Sequence, residues 1–210
     1  METGDVFVIS APSGSGKTTI CRMLVQRMDN VELSISYTTR PRKRSEEDGK
    51  DYYFIDSKKF DKMVICRELL EFASVYGNRY GTSREAVLSI VSRGKDAVLE
   101  IDVQGGRKVK GELPEAVLVA VFPPDWGSLE QRLIGRGRET PEEVRDRLRA
   151  AKEEVRDLLS YDYLVVNDDL EAAVTRVEWI VRATRYRRER AAVRLAKIFD
   201  ADGEGKRWRE

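Results

Sequence analysis

Ser10-Ala11-Pro12-Ser13-Gly14-Ser15-Gly16-Lys17-Thr18-Thr19 has the residue types and spacing of a phosphate cradle. It follows the pattern G-x-x-x-x-G-K-[ST] except at the first position, where Ala11 stands in place of glycine. Gly14 and Gly16 let backbone N–H groups turn inward around an anion, and a helix opening near Lys17 presents its positive end. The Lys17 ammonium reaches the β- and γ-phosphates, and the Thr18 hydroxyl is placed to ligate Mg²⁺. Residues 5–10 form a short apolar run before the loop, and Ile20, Leu24, Val25 and Met28 follow it at helical spacing. Strand, glycine-rich loop and helix in that order distinguish a P-loop from an ordinary small-residue turn, and imply binding of a nucleoside triphosphate. The Asn-Lys-x-Asp motif with which GTPases read guanine is missing, and no hydrolytic partner set is visible. What accepts the phosphoryl group is therefore the open question.

The elements that must position this loop can be read along the chain. Its 210 residues suit one large domain, and a hydrophobic content of 41% supplies the core. Leu33, Ile35 and Tyr37 alternate with Ser34, Ser36 and Thr38, which predicts a strand with one apolar face and one face of hydroxyls. Residues 50–55 read as an aromatic-rich strand, 57–63 as a short capped helix, and 68–82 as a mixed stretch rich in Tyr, Gly and Asn. Residues 34–90 thus read as an α+β insertion. The core pattern resumes at 97–103, a strand carrying Glu100 and Asp102 on one face near its carboxyl end, and continues in apolar strands at 116–122 and 163–166. Thr140-Pro141-Glu142-Glu143 is a capping box with proline at the first helical position. Val144, Leu148, Ala151, Val155 and Leu158 carry that helix onward, and a final helix is expected from about 169 to 199. Alternating strands and helices predict an α/β fold with a mostly parallel five-stranded sheet.

Composition narrows the chemistry. The chain has 38 Lys+Arg against 37 Asp+Glu, so a net charge of +1 gives no electrostatic footprint for nucleic acid or membrane. It has no histidine, which excludes Ser-His-Asp and Cys-His nucleophiles, phosphohistidine chemistry and His-ligated metals. Cys21 and Cys66 are too few for a disulfide framework or a cysteine-rich zinc site, and Cys21 falls among helix core positions, where it is expected to be inert. The first residues lack a basic region before an apolar stretch, so no signal peptide is expected. The longest apolar run, 116–122, is too short to span a bilayer. A soluble cytoplasmic chain is expected.

Further motifs bear on the acceptor. Ser34-Ile35-Ser36-Tyr37-Thr38-Thr39-Arg40-Pro41 precedes a basic run, then Gly49-Lys50-Asp51-Tyr52-Tyr53-Phe54. Glu71-Phe72-Ala73, Tyr76-Gly77-Asn78-Arg79-Tyr80-Gly81-Thr82 and Leu99-Glu100-Ile101-Asp102-Val103-Gln104-Gly105-Gly106 follow in order. Arg132-Leu133-Ile134-Gly135-Arg136-Gly137, Arg147 and Val166-Asn167-Asp168-Asp169 complete the set. Over residues 4–197 the chain resembles guanylate kinase, the GMP kinase of the nucleoside monophosphate kinases.

The resemblance implies a P-loop core (4–33, 91–125, 148–198), a GMP-binding insertion (34–90), a small helical lid (126–147) and a tail (199–210). It implies that Arg40, Lys43, Tyr52 and Tyr80 hold the GMP phosphate, that Ser36, Glu71 and Thr82 read guanine, and that Asp102 joins nucleotide, Lys17 and Mg²⁺. Thr18 and Asp102 are the expected metal residues. Arg132, Arg136 and Arg147 are expected to close on the ATP phosphates with Lys17 and Arg40 as the catalytic cations. Arg136 and Asn167 would lie near the adenine, beside the loop residues Ala11 through Thr19. The family places a second arginine three positions after Arg40, where this chain has Lys43; Lys43 serves, or Arg42 or Arg44 takes the contact.

Base chemistry agrees with these roles. A carboxylate such as Glu71 accepts from guanine N1–H and N2–H₂, whereas adenine offers it a lone pair at N1 and nothing at C2. A site that hydrogen-bonds its substrate rejects analogues by up to about 10⁴–10⁵. The acceptor phosphate is already ionised, so no general base is needed, and positioning with charge neutralisation suffices.

The expected activity is phosphorylation of GMP, and of dGMP, by ATP with Mg²⁺, in a monomer or simple homo-oligomer. Two other readings are a kinase of the same fold acting on a ribose bisphosphate, and a non-catalytic guanylate-kinase-like module that binds phosphopeptides. Glu71 with Ser36 and Thr82 argues against the first, and intact Lys17 and Thr18 against the second. Residue by residue, blander roles exist: Tyr52 and Tyr80 as core aromatics, residues 40–44 as a nucleic-acid patch, and the arginines of 182–194 as a solvated helix face.

Overall fold

The strand Val6–Ser10 (β1) is buried along its whole length, and its side chains alternate between two apolar clusters. Phe7 and Ile9 pack with Ile20, Leu24, Val119 and Val174 on one face; Val6 and Val8 pack with Val87, Leu99, Val109 and Leu158 on the other. A strand buried on both faces belongs in the middle of a parallel sheet, and β1 lies there. The computed structural model describes residues 3–75, 77–135, 140–188, 191, 192 and 195. Lys17–Arg27 (α1) leads to Val31–Ser34 (β2), an edge strand of the sheet.

After β2 the chain leaves the sheet to build a second one from Tyr37–Thr38 (β3), Tyr53–Phe54 (β4), Leu69–Val75 (β5) and Asn78–Ser83 (β6), in the order β4-β3-β6-β5. Ser57–Ile65 (α2) covers it, with Phe60 and Met63 packed on Leu69. Arg84–Ser92 (α3) returns to the main sheet, where Val87 and Ile90 lie among the core residues. Asp96–Glu100 (β7), Val103–Glu112 (α4), Val117–Phe122 (β8), Trp126–Ile134 (α5), Pro141–Leu158 (α6), Tyr163–Val166 (β9) and Leu170–Thr184 (α7) follow. The main sheet has the order β2-β7-β1-β8-β9, and each of its pairings is parallel. Among the described residues no helix is long and apolar enough to cross a membrane.

The expected α/β architecture is present, and several boundaries differ. The alternating run from Leu33 to Thr38 is two strands in two sheets, with Ile35 and Ser36 between them. Period-two alternation suits either sheet, so it does not mark the crossing. Of residues 50–55 only Tyr53 and Phe54 form a strand, because the chain before them turns through Gly49 at φ 76°. The cap of α2 is Asp56, whose Oδ1 accepts from the Lys59 N–H at 2.7 Å. β7 stops at Glu100, and Asp102 instead caps α4. The capping box stands as read: Thr140 N donates to Glu143 at 2.7 Å and Glu143 N to Thr140 Oγ1 at 3.3 Å.

The expected final helix is interrupted. α7 ends at Thr184, Arg185 and Tyr186 form a turn, and Arg188, Ala191, Ala192 and Leu195 are helical again. Arg185 is no solvated cation: its guanidinium meets Oδ2 of the buried Asp96 at 2.6 Å, while Oδ1 of Asp96 accepts the Asp5 N–H at 2.9 Å. That pairing fastens the end of α7 to the start of β7.

Candidate active site

The phosphate loop emerges from the carboxyl end of β1, at the centre of the parallel sheet, where ligands of open α/β sheets bind. Gly14 and Gly16 take φ of 98° and 93°, the left-handed region that turns their N–H groups inward. A Cβ on Gly16 would also come within 2.5 Å of the Asn167 side-chain nitrogen. Asn167, only 3% exposed, donates that amide to the Ser15 carbonyl at 2.7 Å. Arg132 donates to the Asn167 carbonyl at 2.9 Å and to that of Ser15 at 3.5 Å. Arg147 reaches the loop from α6 and donates to Ser13 Oγ at 3.2 Å.

Two side chains at the start of α1 cross to the carboxyl end of β7 and the residue after it. Lys17 Nζ donates to the Ile101 carbonyl at 2.8 Å. The Thr18 hydroxyl donates to the Glu100 carboxylate. Asp102 accepts the Gly105 N–H at 2.7 Å as the cap of α4, so the carboxylate placed against Thr18 is that of Glu100, not Asp102. A buried relay holds the same corner: Tyr161 donates to Ser10 Oγ at 3.0 Å, and Ser10 to the Asp102 carbonyl at 3.2 Å.

The second sheet presents Glu71, 5% exposed, with its Oε1 accepting from Thr82 Oγ1 at 2.7 Å. Burial, assisted by the nearby Asp102 charge, pushes its carboxyl up to about 7 against the pull of Thr82 and Lys108. Tyr52 and Tyr80 meet edge to face with ring centres 5.8 Å apart, and burial pushes the Tyr52 hydroxyl up to about 12. Arg40 lies 5.6 Å from the Tyr52 ring centre and pairs with Glu46 at 2.8 Å. The other Glu46 oxygen accepts the Lys43 backbone N–H at 2.9 Å, and Arg42 donates to the Glu46 carbonyl at 3.3 Å.

A cleft of about 350 Å³ joins the two halves. Residues Ala11, Pro12, Ser13, Gly14, Ser15, Gly16, Lys17, Thr18 and Thr19 line it together with Ser36, Tyr52, Glu71, Tyr80, Asp102 and Arg147. Thr82 stands behind Glu71, and Arg132 and Asn167 grip the loop from outside the cleft lining. Arg40 and Lys43 also fall outside the lining, and Arg136 lies outside the described residues.

A family model for guanylate kinase matches residues 3–184. The chain belongs to the guanylate kinase family. A guanylate kinase of Carboxydothermus hydrogenoformans is 44% identical over 195 residues, spanning 93% of this chain and 96% of its own. One of Thermotoga maritima is 47% identical over 182 residues, 87% of this chain and 88% of its own. The crystal structure of guanylate kinase from Anaplasma phagocytophilum superposes with a TM-score of 0.76 at 32% identity, covering 90% of each chain.

Two carboxylates that line the cleft, Glu100 and Glu154, and one beside it, Glu46, stand outside the expected site residues. Glu100 was paired in sequence with Asp102, and only the end of β7 separates their roles. Glu154 lines the cleft beside Arg147; the two are seven residues apart in one helix, on a common face. Burial raises its carboxyl, Asp102 adds to this, and Lys17 opposes it. Glu46 holds Arg40 from outside the cleft lining, six residues further along the same loop.

Proposed function

We propose that the chain transfers the γ-phosphoryl group of ATP to GMP, and to dGMP, yielding ADP and the nucleoside diphosphate. The carrying observation is a buried carboxylate, Glu71, that opens on the same cleft as the phosphate loop. A phosphate oxygen of GMP attacks the γ-phosphorus, the bond from that phosphorus to the β,γ-bridging oxygen breaks, and the electron pair leaves with ADP. The attacking oxygen carries no proton at neutral pH, so the residues act by binding and neutralising charge. Glu71, with Ser36 and Thr82, reads the guanine edge. Arg40, Tyr52, Tyr80 and one of Lys43, Arg42 or Arg44 hold the GMP phosphate once Arg40 exchanges Glu46 for it. Lys17, Arg132, Arg136 and Arg147 meet the ATP phosphates, and residues 34–90 and 126–147 move as acceptor-binding unit and lid.

The donor set near Thr18 fits Mg²⁺. The ion prefers oxygen ligands and takes one or two from protein, completing its shell with phosphate and water. Thr18 Oγ1 and the Glu100 carboxylate, already in contact, are such oxygens, with Asp102 lining the same cleft. When bound, Mg²⁺ offsets charge on the β- and γ-phosphates. The exposed, unpaired Cys66 supports a reducing, cytoplasmic setting.

A coupled ADP-release assay with GMP, dGMP, AMP and a ribose bisphosphate as acceptors tests the assignment. GMP is expected to exceed AMP in kcat/KM by at least about 10³, and the ribose bisphosphate to be inert. Comparable turnover of AMP or of the sugar phosphate would overturn it.

A further inference from the structure

Gly105 and Gly106 lie in the first turn of α4, where glycine weakens a helix, and neither has a positive φ. Glycine at 105 therefore answers to space. A Cβ there would stand 2.7 Å from Glu71 Oε2, 3.1 Å from its Cδ and 3.3 Å from Ile101 Cδ1. The bare Cα is the wall against which one carboxylate oxygen rests, while Thr82 holds the other at 2.7 Å. The wall is itself fixed. Asp102 takes the Gly105 N–H at 2.7 Å, and one turn on Lys108 donates to the Phe72 carbonyl, tying α4 to β5 next to Glu71.

We infer that Gly105 is a specificity-determining positioning residue: its missing side chain sets where the Glu71 carboxylate comes to rest, and hence which base edge it can meet. The inference builds on the reading of Glu71 as the guanine reader. It also links the two halves of the cleft, because Asp102 on the phosphate side anchors the backbone that Glu71 on the base side leans against. Neighbouring glycines of α4 differ. A Cβ on Gly106 would strike the Tyr161 hydroxyl at 2.1 Å, whereas one on Gly111 would meet nothing within 4 Å.

Gly105→Ala separates placement from folding. Alanine favours the helix, and the atom it displaces first is the far end of a side chain, so thermal stability is expected to hold. A misplaced recognition group costs on the order of 10- to 100-fold, and that loss is expected in kcat/KM for GMP, mainly through KM. The KM for ATP is expected to stay within about twofold, and Gly111→Ala to match the unsubstituted chain. Glu71→Gln, assayed in parallel, tests the underlying reading. If Glu71→Gln loses GMP selectivity while Gly105→Ala behaves like Gly111→Ala, the Gly105 inference falls alone. If Glu71→Gln keeps its selectivity, the reading of Glu71 falls and takes the inference with it. An equal loss toward ATP and GMP in Gly105→Ala would mark a general structural defect and overturn the inference.

Discussion

Glu71 is a carboxyl group 5% exposed, hydrogen-bonded by Thr82 and with the like charge of Asp102 nearby. Such a group is costly to keep ionised in the empty protein and well suited to a ligand that brings two N–H donors. Glu71→Gln replaces one acceptor oxygen with a donor, losing a charge-assisted hydrogen bond and creating a donor clash. About 2–4 kcal/mol of GMP recognition should go, roughly 30- to 1,000-fold in kcat/KM. Activity with AMP should fall less, so a GMP-to-AMP ratio that does not shrink would sink the role. Stability should move the other way. The unfolded carboxyl titrates near 4.3 and the folded one near 7, so between those values the folded state holds a proton the unfolded state has released. Wild-type stability therefore declines through that window as pH rises, and the deficit is complete above it. Glutamine escapes this, and its relative stability should grow by up to about 3 kcal/mol between pH 4.5 and 8. Denaturant midpoints at both pH values would show it.

At the scale of elements, the cations proposed to serve the transfer are already engaged. Arg132, on α5, holds two carbonyls of the loop and of Asn167; Arg147, on α6, holds Ser13; Arg40, after β3, holds Glu46. Nucleotides must compete for these contacts, and water left in the cleft would divert the phosphoryl group to hydrolysis. A bisubstrate analogue should slow amide exchange in residues 34–90 and 126–135 while leaving β1, β7 and β8 unchanged. Identical exchange profiles at saturation would argue for a rigid module. Elements differ in how far the sequence betrayed them. β1, β8 and the box at Thr140 carry complete local signals: continuous apolar residues, or a cap, a proline and a glutamate in fixed order. The β5–β6 hairpin carries none of these, because its side chains alternate between a partly covered sheet face and the cleft that Glu71 and Tyr80 line. The end of α7 was hidden for a different reason. It depends on Asp96, far away in sequence and buried, and no helical pattern reports such a partner.

For the molecule as a whole, five parallel strands bring their carboxyl ends to one edge, so that residues far apart in the chain share a cleft. The loop from Ala11 to Thr19 was legible because backbone geometry dictates its glycines, and the meeting of Ser36, Glu71 and Thr82 at one cleft, proposed to read the base, because the family's spacing is kept. What stayed illegible were contacts of approach: Gly105 against Glu71, Glu100 against Thr18, Glu46 against Arg40. The first two depend on how separate elements dock, and the third is set within the loop between β3 and β4. The two cysteines turn that docking into something that can be timed. Cys21 is fully buried on α1, directly behind the phosphate loop, and burial with the Glu100 charge pushes its thiol far above the ordinary range. Cys66, which ends α2 in the second-sheet unit, is exposed. A maleimide should therefore modify one thiol per native chain quickly, at Cys66. The second should react only as fast as α1 opens from the sheet. ATP that grips the start of α1 should delay the second event and leave the first unchanged, so a two-step trapping curve would measure the grip of the phosphate loop without any catalysis at all.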